Sequence, residues 1–203
     1  EPYRSEALGE IRRLVQSVDG FLVHSRYYAD FMSDYFAIPP DRLHLVPLGI
    51  ETADFSSAGE ESRPPTVGYL ARLAPEKGFH VLIDAFLELR RLEGLADARL
   101  LAAGWLDKTR QEYLDSQRAK LREAGCESAF RYAGSVDRRG KSAFLREIDV
   151  LSVPTTYRDP KGLFVLEALA AGVPVVQRAH GVFPELVGGL GGGKLVEPEN
   201  PTA

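Results

Sequence analysis

The sequence predicts an α/β protein built on a doubly wound parallel sheet. From residue 66 onward, short apolar segments alternate with segments of helical periodicity, which is the pattern of βαβ units. Apolar runs such as Leu100–Ala103 suit strands that are buried on both faces, as in a parallel sheet. Right-handed crossovers between parallel strands give a doubly wound sheet. Such a sheet binds ligands beyond the carboxyl ends of its strands.

Composition places the 203-residue chain among ordinary globular proteins. It is 44% apolar and 27% charged, with 19 Gly and 13 Pro, which excludes disordered, collagen-like and disulfide-rich classes. The net charge is −4 and basic residues are scattered, so nucleic acid is not an expected partner. The single cysteine, Cys126, fits a reducing compartment, so we expect a cytoplasmic protein. No apolar run approaches the about 18 residues of a membrane span, and Glu1-Pro2-Tyr3 suggests an excised fragment.

The first part of the chain has the patterns of two helices and two strands. The helices are predicted over 6–18 and 26–36, and the strands over 21–23 and 43–47. Pro39-Pro40 is expected to stop the second helix. Residues 54–65 are rich in Ser, Gly, Glu and Pro, a composition typical of a loop or linker. We therefore place a domain boundary near residue 52, which separates 1–52 from 53–203.

The second part is predicted to hold six strands with helices between them. The predicted strands are 66–70, 98–103, 129–133, 149–153, 174–177 and 194–196. The predicted helices are 78–93, 109–124, 138–147, 162–171 and 183–188.

The loop after the first of these strands carries two cations between a strand end and a helix start. In GYLARLAPEKG, residues 68–78, these are Arg72 and Lys77. An Arg fork and a Lys point charge together suit a diphosphate. A solvated surface loop is the alternative, because charged side chains are mostly exposed.

A second segment, DPKGLFVLEALAAG (159–172), combines a helix start with an isolated carboxylate. From Leu163 to Ala171 every residue is apolar except Glu167, so the helix is expected to be buried nearly all round. A buried carboxylate needs a partner; ligand hydroxyls, a structural hydrogen bond and a narrow wet edge all remain open. Free N–H groups at Gly162–Phe164 would form an anion site.

At these residues the sequence resembles the nucleotide-sugar-binding, Rossmann-like C-terminal domain of family 4 retaining glycosyltransferases with the GT-B fold. The matching pieces lie in family order over most of 66–187: GYLARLAPEKGFHVLIDAF, YAGSV, DVLSVPTTY, DPKGLFVLEALAAGVPVV and HGVFPELV. The resemblance implies that Arg72 and Lys77 hold the donor diphosphate and that Glu167 binds the ribose hydroxyls. Asp159 matches a Glu that lies near the donor sugar in the family, and it is one methylene shorter than that Glu.

The resemblance also implies which backbone groups would touch the donor. The turn Gly134-Ser135-Val136 would contact the base, and Gly162–Phe164 would face the phosphate and sugar. The candidate catalytic residues are Arg72, Lys77 and Asp159. The candidate donor-binding residues are Gly68, Gly134, Ser135, Val136, Lys161, Gly162, Leu163, Phe164 and Glu167. No metal is expected, because protein cations would neutralise the leaving diphosphate.

We therefore expect the donor-binding part of a metal-independent, retaining hexosyltransferase. Its donor would be a nucleoside diphosphate sugar, of UDP or GDP type, and its acceptor an unknown hydroxyl on a sugar, lipid or small molecule; no cofactor is expected. Residues 1–52 resemble the end of an N-terminal acceptor domain and its linker, so the chain alone is expected to bind nucleotide without transfer. Membrane association of a parent enzyme stays open. The alternatives are a nucleotide-sugar epimerase on the same scaffold and a non-catalytic nucleotide-sugar sensor, which only Asp159 favours.

Two further features are interpreted as structural. The segment GGLGGGKL, residues 188–195, is close to a phosphate-binding loop, but Leu195 replaces the required Ser or Thr and no buried strand precedes it. Trp105 follows a predicted strand and is interpreted as a packing residue rather than a platform for a base.

Overall fold

The computed structural model describes residues 2–55 and 63–197, and the chain forms two compact units, Glu1–Gly49 and Ile50–Ala203. This division falls shortly before the predicted boundary at residue 52. The assignment of the units to an acceptor-domain remnant and a donor-binding domain stays a prediction. Of the predicted linker 54–65, residues 56–62 lie outside the described residues.

The first unit contains two helices and a two-stranded parallel sheet. Its elements are α1 (Pro2–Val15), β1 (Phe21–Val23), α2 (Arg26–Phe36) and β2 (Leu43–Leu45). Ser25 caps α2, because its hydroxyl oxygen accepts the Tyr28 N–H at 3.1 Å. The helix ends at Ala37, which has a left-handed φ of 53°, before the expected proline stop.

The described part of the second unit is built on six parallel strands. They are β3 (Thr66–Leu70), β4 (Arg99–Ala103), β5 (Phe130–Tyr132), β6 (Val150–Leu151), β7 (Val175–Arg178) and β8 (Gly193–Val196). Their order is β5-β4-β3-β6-β7-β8, and every neighbouring pair is parallel. The predicted doubly wound parallel sheet is therefore confirmed. β6 is shorter than the predicted 149–153, and the chain beyond it makes a local turn in which the Thr155 N–H donates to the Val153 carbonyl oxygen at 2.7 Å.

Five helices connect these strands, close to the predicted positions. They are α3 (Phe79–Leu89), α4 (Gln111–Glu123), α5 (Arg138–Arg146), α6 (Leu163–Ala170) and α7 (Phe183–Leu190). A 3₁₀ turn, Pro75–Lys77, precedes α3, and α3 ends before the predicted residue 93. Asp137 caps α5 by accepting the Gly140 N–H at 2.7 Å. No helix in the described part of the chain has both the length and the apolar character needed to cross a membrane.

The core of the second unit fixes the loop that follows β3. Tyr69 is fully buried, with its ring edge-on to Phe79. Its hydroxyl donates to the carbonyl oxygen of Arg72 at 2.9 Å. Burial raises the pKa of Tyr69 well above its ordinary value, so this hydroxyl keeps its proton. A buried side chain thus holds the backbone of a loop that carries a candidate functional residue.

The strand order reverses between β3 and β6, which sets the position of a ligand crevice. Chain connections leave these two neighbouring strands toward opposite sides, so the loops after them separate at the carboxyl edge. The loop after β3 contains Arg72 and Lys77, and the loop after β6 contains Asp159. The topology therefore brings both predicted motifs to the same edge of the sheet.

Candidate functional site

A cavity of about 340 Å³ opens at the carboxyl ends of β3, β4 and β5. We call it the β3–β5 cavity. Loops after the three strands and the helices α5 and α6 line it with Leu70, Ala71, Arg72, Gly104, Trp105, Ser135, Val136, Lys141, Leu163, Phe164 and Glu167. It thus gathers six of the predicted site residues: Arg72, Ser135, Val136, Leu163, Phe164 and Glu167.

A second cavity, of about 320 Å³, adjoins the first. It shares Val136, Lys141 and Glu167 with the β3–β5 cavity and extends to Ile50 and Phe55. Glu167 and Lys141 therefore lie in the walls of both cavities.

Glu167 has a protein partner that the sequence analysis missed. The Lys141 ammonium donates to Glu167 Oε1 at 2.6 Å, and the Glu167 side chain is only 15% exposed. Lys141 lies on α5, one helix earlier in the chain, so no local spacing rule connects the two residues. The pair is the structural hydrogen bond that the sequence analysis gave as one alternative for Glu167. The same carboxylate also lines the β3–β5 cavity, where it can accept hydrogen bonds from ligand hydroxyl groups.

Arg72 stands on the rim of the β3–β5 cavity. Its side chain is 52% exposed, and its guanidinium lies 3.6 Å from Glu76 Oε1. The other Glu76 oxygen accepts a hydrogen bond from Arg110 at 2.9 Å. Because two arginines share one carboxylate, the group keeps a net positive charge, and Arg72 can bind an incoming anion.

Lys77 and Asp159 form a largely buried ion pair rather than part of the cavity wall. The Lys77 ammonium donates to Asp159 Oδ2 at 2.8 Å and to the Tyr157 hydroxyl, and that hydroxyl donates to the same Asp159 oxygen at 2.9 Å. The side chains of Lys77 and Asp159 are only 14% and 6% exposed. Neither residue is among those that line the β3–β5 cavity, so the diphosphate contact of Lys77 stays a prediction.

Electrostatics keep both members of this pair charged. Burial alone would lower the pKa of Lys77, but the hydrogen bonds to Asp159 and Tyr157 outweigh it, and the net pKa is raised. Burial alone would raise the pKa of Asp159, but the bonds from Lys77 and from the Lys161 N–H lower it below its ordinary value.

Asp159 also organises the start of α6. Its Oδ1 accepts the backbone N–H groups of Lys161 at 2.9 Å and Gly162 at 3.2 Å. The residue that the resemblance assigns to the donor sugar is therefore already engaged on both oxygens. Its sugar contact stays a prediction, and the structure adds a positioning role that joins the loop after β3 to the helix that carries Glu167.

Two predicted glycines lie off the cavity wall. Gly68 is inside β3, where a Cβ would come within 2.3 Å of Ile148 Cδ1, so it permits packing in the sheet. The carbonyl oxygen of Gly134 accepts the Gly104 N–H at 2.9 Å and joins the loops after β4 and β5. Gly134 thus supports the turn whose next two residues do line the cavity.

The structure decides two further interpretations, those of Trp105 and of the segment 188–195. The packing role inferred for Trp105 is wrong, because its side chain is 52% exposed and lines the β3–β5 cavity. The segment 188–195 spans the end of α7 and enters β8, which is the reverse of the strand-to-helix order of a phosphate-binding loop. Across residues 2–55 and 63–197, no group of three or more His, Cys, Asp or Glu side chains is arranged to hold a metal ion.

Comparisons with known proteins place the chain in a family. The family model described as "Glycosyl transferases group 1" matches residues 51–203. A glycogen synthase of Mycobacterium tuberculosis (strain ATCC 25618 / H37Rv) is 32% identical over 176 residues, covering 86% of this chain and 41% of that protein. A phosphatidyl-myo-inositol mannosyltransferase of Mycobacterium leprae is 35% identical over 136 residues, covering 64% of this chain and 34% of that protein.

Solved structures share the fold of the chain. Anabaena Alr3699/HepE in complex with UDP-glucose aligns with a TM-score of 0.83 and 19% identity, over 100% of this chain and 57% of that chain. The C-terminal domain of a glycosyl transferase group 1 family protein from Francisella tularensis aligns with a TM-score of 0.65 and 22% identity, over 75% of this chain and 82% of that domain. The chain thus spans well under half the length of the curated relatives it matches.

Proposed function

Because this chain belongs to the group 1 glycosyltransferases, we propose that it is the donor-binding part of a retaining enzyme that moves a hexose from a nucleoside diphosphate sugar to a hydroxyl acceptor. The observation that carries the proposal is the β3–β5 cavity, which gathers an arginine, a carboxylate and the start of α6 beside the point where the strand order reverses. The Anabaena neighbour was solved with UDP-glucose, which supports a donor of this class.

In this proposal, the parts of the donor are divided among the loops of the cavity. Arg72 and the first N–H groups of α6 hold the diphosphate, and Glu167 accepts the ribose hydroxyls. Arg72 and these N–H groups stabilise the negative charge that builds on the leaving diphosphate as the glycosidic bond breaks. Lys77 is a second cation: an ammonium has three donors, so its bonds to Asp159 and Tyr157 leave one for a phosphate oxygen.

Transfer itself requires an acceptor hydroxyl held against the anomeric carbon, and such positioning supplies several kcal/mol of the barrier reduction, on the order of 7 or more in well-oriented cases. Because the chain spans 41% of its glycogen synthase relative, we propose that the 203 residues bind the donor and that the longer enzyme supplies the acceptor site. Neither the family match nor the relatives favour the alternative of a nucleotide-sugar epimerase.

The direct test is a calorimetric titration of the chain with UDP, GDP and ADP, repeated with Arg72→Ala. We expect at least one nucleotide to bind, and Arg72→Ala to weaken it roughly 10- to 100-fold, since a charge-assisted contact is worth about 1.5–3 kcal/mol. Arg99→Ala is the matched control, because Arg99 is an exposed arginine at the amino end of β4 and should leave affinity unchanged. Failure of all three nucleotides to bind would contradict the proposal.

A second variant separates ligand binding from folding at Glu167. Glu167→Gln keeps the shape but removes the charge and one strong acceptor, so we expect nucleotide affinity to fall roughly 10-fold or more. The Lys141 ammonium that loses its partner is 35% exposed, so the melting temperature of the free protein should change little. A large loss of stability with unchanged nucleotide affinity would show instead that Glu167 serves the core.

A further inference from the structure

Trp105 is held in an exposed position by its backbone. The Leu73 N–H donates to the Trp105 carbonyl oxygen at 3.0 Å, and the Gly104 N–H donates to the Gly134 carbonyl oxygen at 2.9 Å. Gly104 has a φ of 140°, and a Cβ there would come within 1.9 Å of the Ala71 carbonyl oxygen. Gly104 is thus fixed between the loops after β3 and β5. The backbone that carries the indole ring is therefore held in place by both loops.

Leaving the largest apolar side chain half exposed forgoes burial energy of about 25 cal/mol for each Å² of apolar surface. Trp105 is 52% exposed, and it is the only tryptophan of the chain. Its exposed surface belongs to the wall of the β3–β5 cavity, where an inserted ligand would cover it. An exposed aromatic side chain at the wall of a concave site is a typical anchor for a flat apolar group.

The neighbours of Trp105 identify which part of a ligand would reach it. Arg72 lies on the loop after β3, and Ser135 and Val136 lie on the loop after β5. Because β4 stands between β3 and β5, Trp105 lies between Arg72 and the turn that carries Ser135 and Val136. A nucleoside diphosphate whose phosphates meet Arg72 would therefore direct its base toward the indole ring and Val136.

We propose that Trp105 is the stacking platform for the base of the donor nucleotide, an inference that rests on the function proposed above. An indole face stacks on any planar base, and base–aromatic stacking contributes measurably to affinity with little dependence on which base is bound. Trp105 then supplies affinity for the nucleoside, while Arg72 supplies affinity for the diphosphate.

The test compares ligands with and without a base. UDP, GDP, ADP and inorganic pyrophosphate are titrated into the wild-type chain, Trp105→Ala and Trp105→Phe. We expect Trp105→Ala to weaken the nucleotides about 5- to 100-fold, Trp105→Phe to retain most of the affinity, and pyrophosphate to bind all three proteins alike. Leu92→Ala, which truncates another exposed apolar side chain outside the cavity, should change none of these affinities. Because no other tryptophan is present, nucleotides should also quench the fluorescence of the wild-type chain, and pyrophosphate should not.

Four results would contradict the inference, and they differ in their consequence for the proposed function. Equal nucleotide affinity of the wild type and Trp105→Ala, or unchanged fluorescence on binding, would remove the stacking role and leave the proposed function intact. An equal loss of pyrophosphate affinity in Trp105→Ala would show that the residue supports the loop rather than the base. Absence of nucleotide binding by the wild-type chain would remove the proposed function and the inference together.

Discussion

Replacing Asp159 by alanine should lower the free energy of unfolding of the second unit by about 3 kcal/mol, because breaking a buried ion pair leaves an uncompensated charge. The charge left behind is the Lys77 ammonium, which is only 14% exposed. The Lys161 and Gly162 N–H groups lose their acceptor as well, which costs about 1 kcal/mol more at a helix start. Urea unfolding followed by Trp105 fluorescence measures the change, since Trp105 lies in the second unit.

Two variants separate these contributions. Asp159→Asn keeps an oxygen for the two N–H groups and removes only the negative charge. The double variant Lys77→Met/Asp159→Asn removes the uncompensated ammonium too, so it should be more stable than Asp159→Asn alone. The exposed pair Lys120–Asp84 is the control, because Asp84→Asn at that surface pair should change stability far less. An Asp159→Ala protein as stable as the wild type would show that the pair contributes nothing to folding.

The same pair predicts how this stabilisation depends on pH. The folded state lowers the pKa of Asp159, so its contribution is complete above the ordinary value of about 3.9 and is lost as pH falls through the lower folded value. The folded state raises the pKa of Lys77, so its contribution is complete below the ordinary value of about 10.4 and is lost only as pH rises above that value. The stability difference between wild type and Asp159→Ala should therefore be largest near neutral pH and shrink in acid.

The fold of the second unit could be predicted because its signals are local. Each strand and helix is indicated by the spacing of apolar residues within a short segment. The right-handed crossover rule then predicts a doubly wound sheet. The errors lie at element ends, where tertiary bonds compete with local preference. β6 shows such an error: it keeps only Val150 and Leu151 of the predicted 149–153, and beyond it the Thr155 N–H donates to the Val153 carbonyl oxygen at 2.7 Å in a local turn.

The candidate site was predictable only in part, because its pairs join distant segments. Arg72 could be placed at a strand end from its loop, and the structure puts it on the cavity rim. The Lys77–Asp159 and Lys141–Glu167 pairs depend on which loops and helices meet in space, and no spacing rule encodes that. The exposure of Trp105 depends on backbone bonds to two other loops, so its sequence neighbours predict packing where the fold produces a cavity wall.

Gly78→Ala is expected to be among the most damaging single-methyl additions in the described second unit. Gly78 directly follows Lys77 and has a φ of 74°, in the left-handed region that disfavours a side chain by about 1–2 kcal/mol. An added Cβ would come within 1.8 Å of the Pro154 carbonyl oxygen, a backbone atom that cannot rotate away. Relief requires the loop after β3 to move from the loop after β6, so we expect a loss of about 4 kcal/mol in unfolding free energy.

Gly94→Ala isolates the overlap from the backbone preference. Gly94 has nearly the same φ, 78°, but nothing lies within 4 Å of its added Cβ, so this control should lose only about 1 kcal/mol. Gly78 packs against Pro154, so it holds the loop that carries Lys77 against the segment that leads to Asp159. Its substitution should therefore also weaken nucleotide binding, whereas Gly94→Ala should not. Urea unfolding and the UDP, GDP and ADP titrations measure both effects. Equal stability losses in the two variants would mean that the loops separate at little cost and that their contact at Gly78 does not position the ion pair.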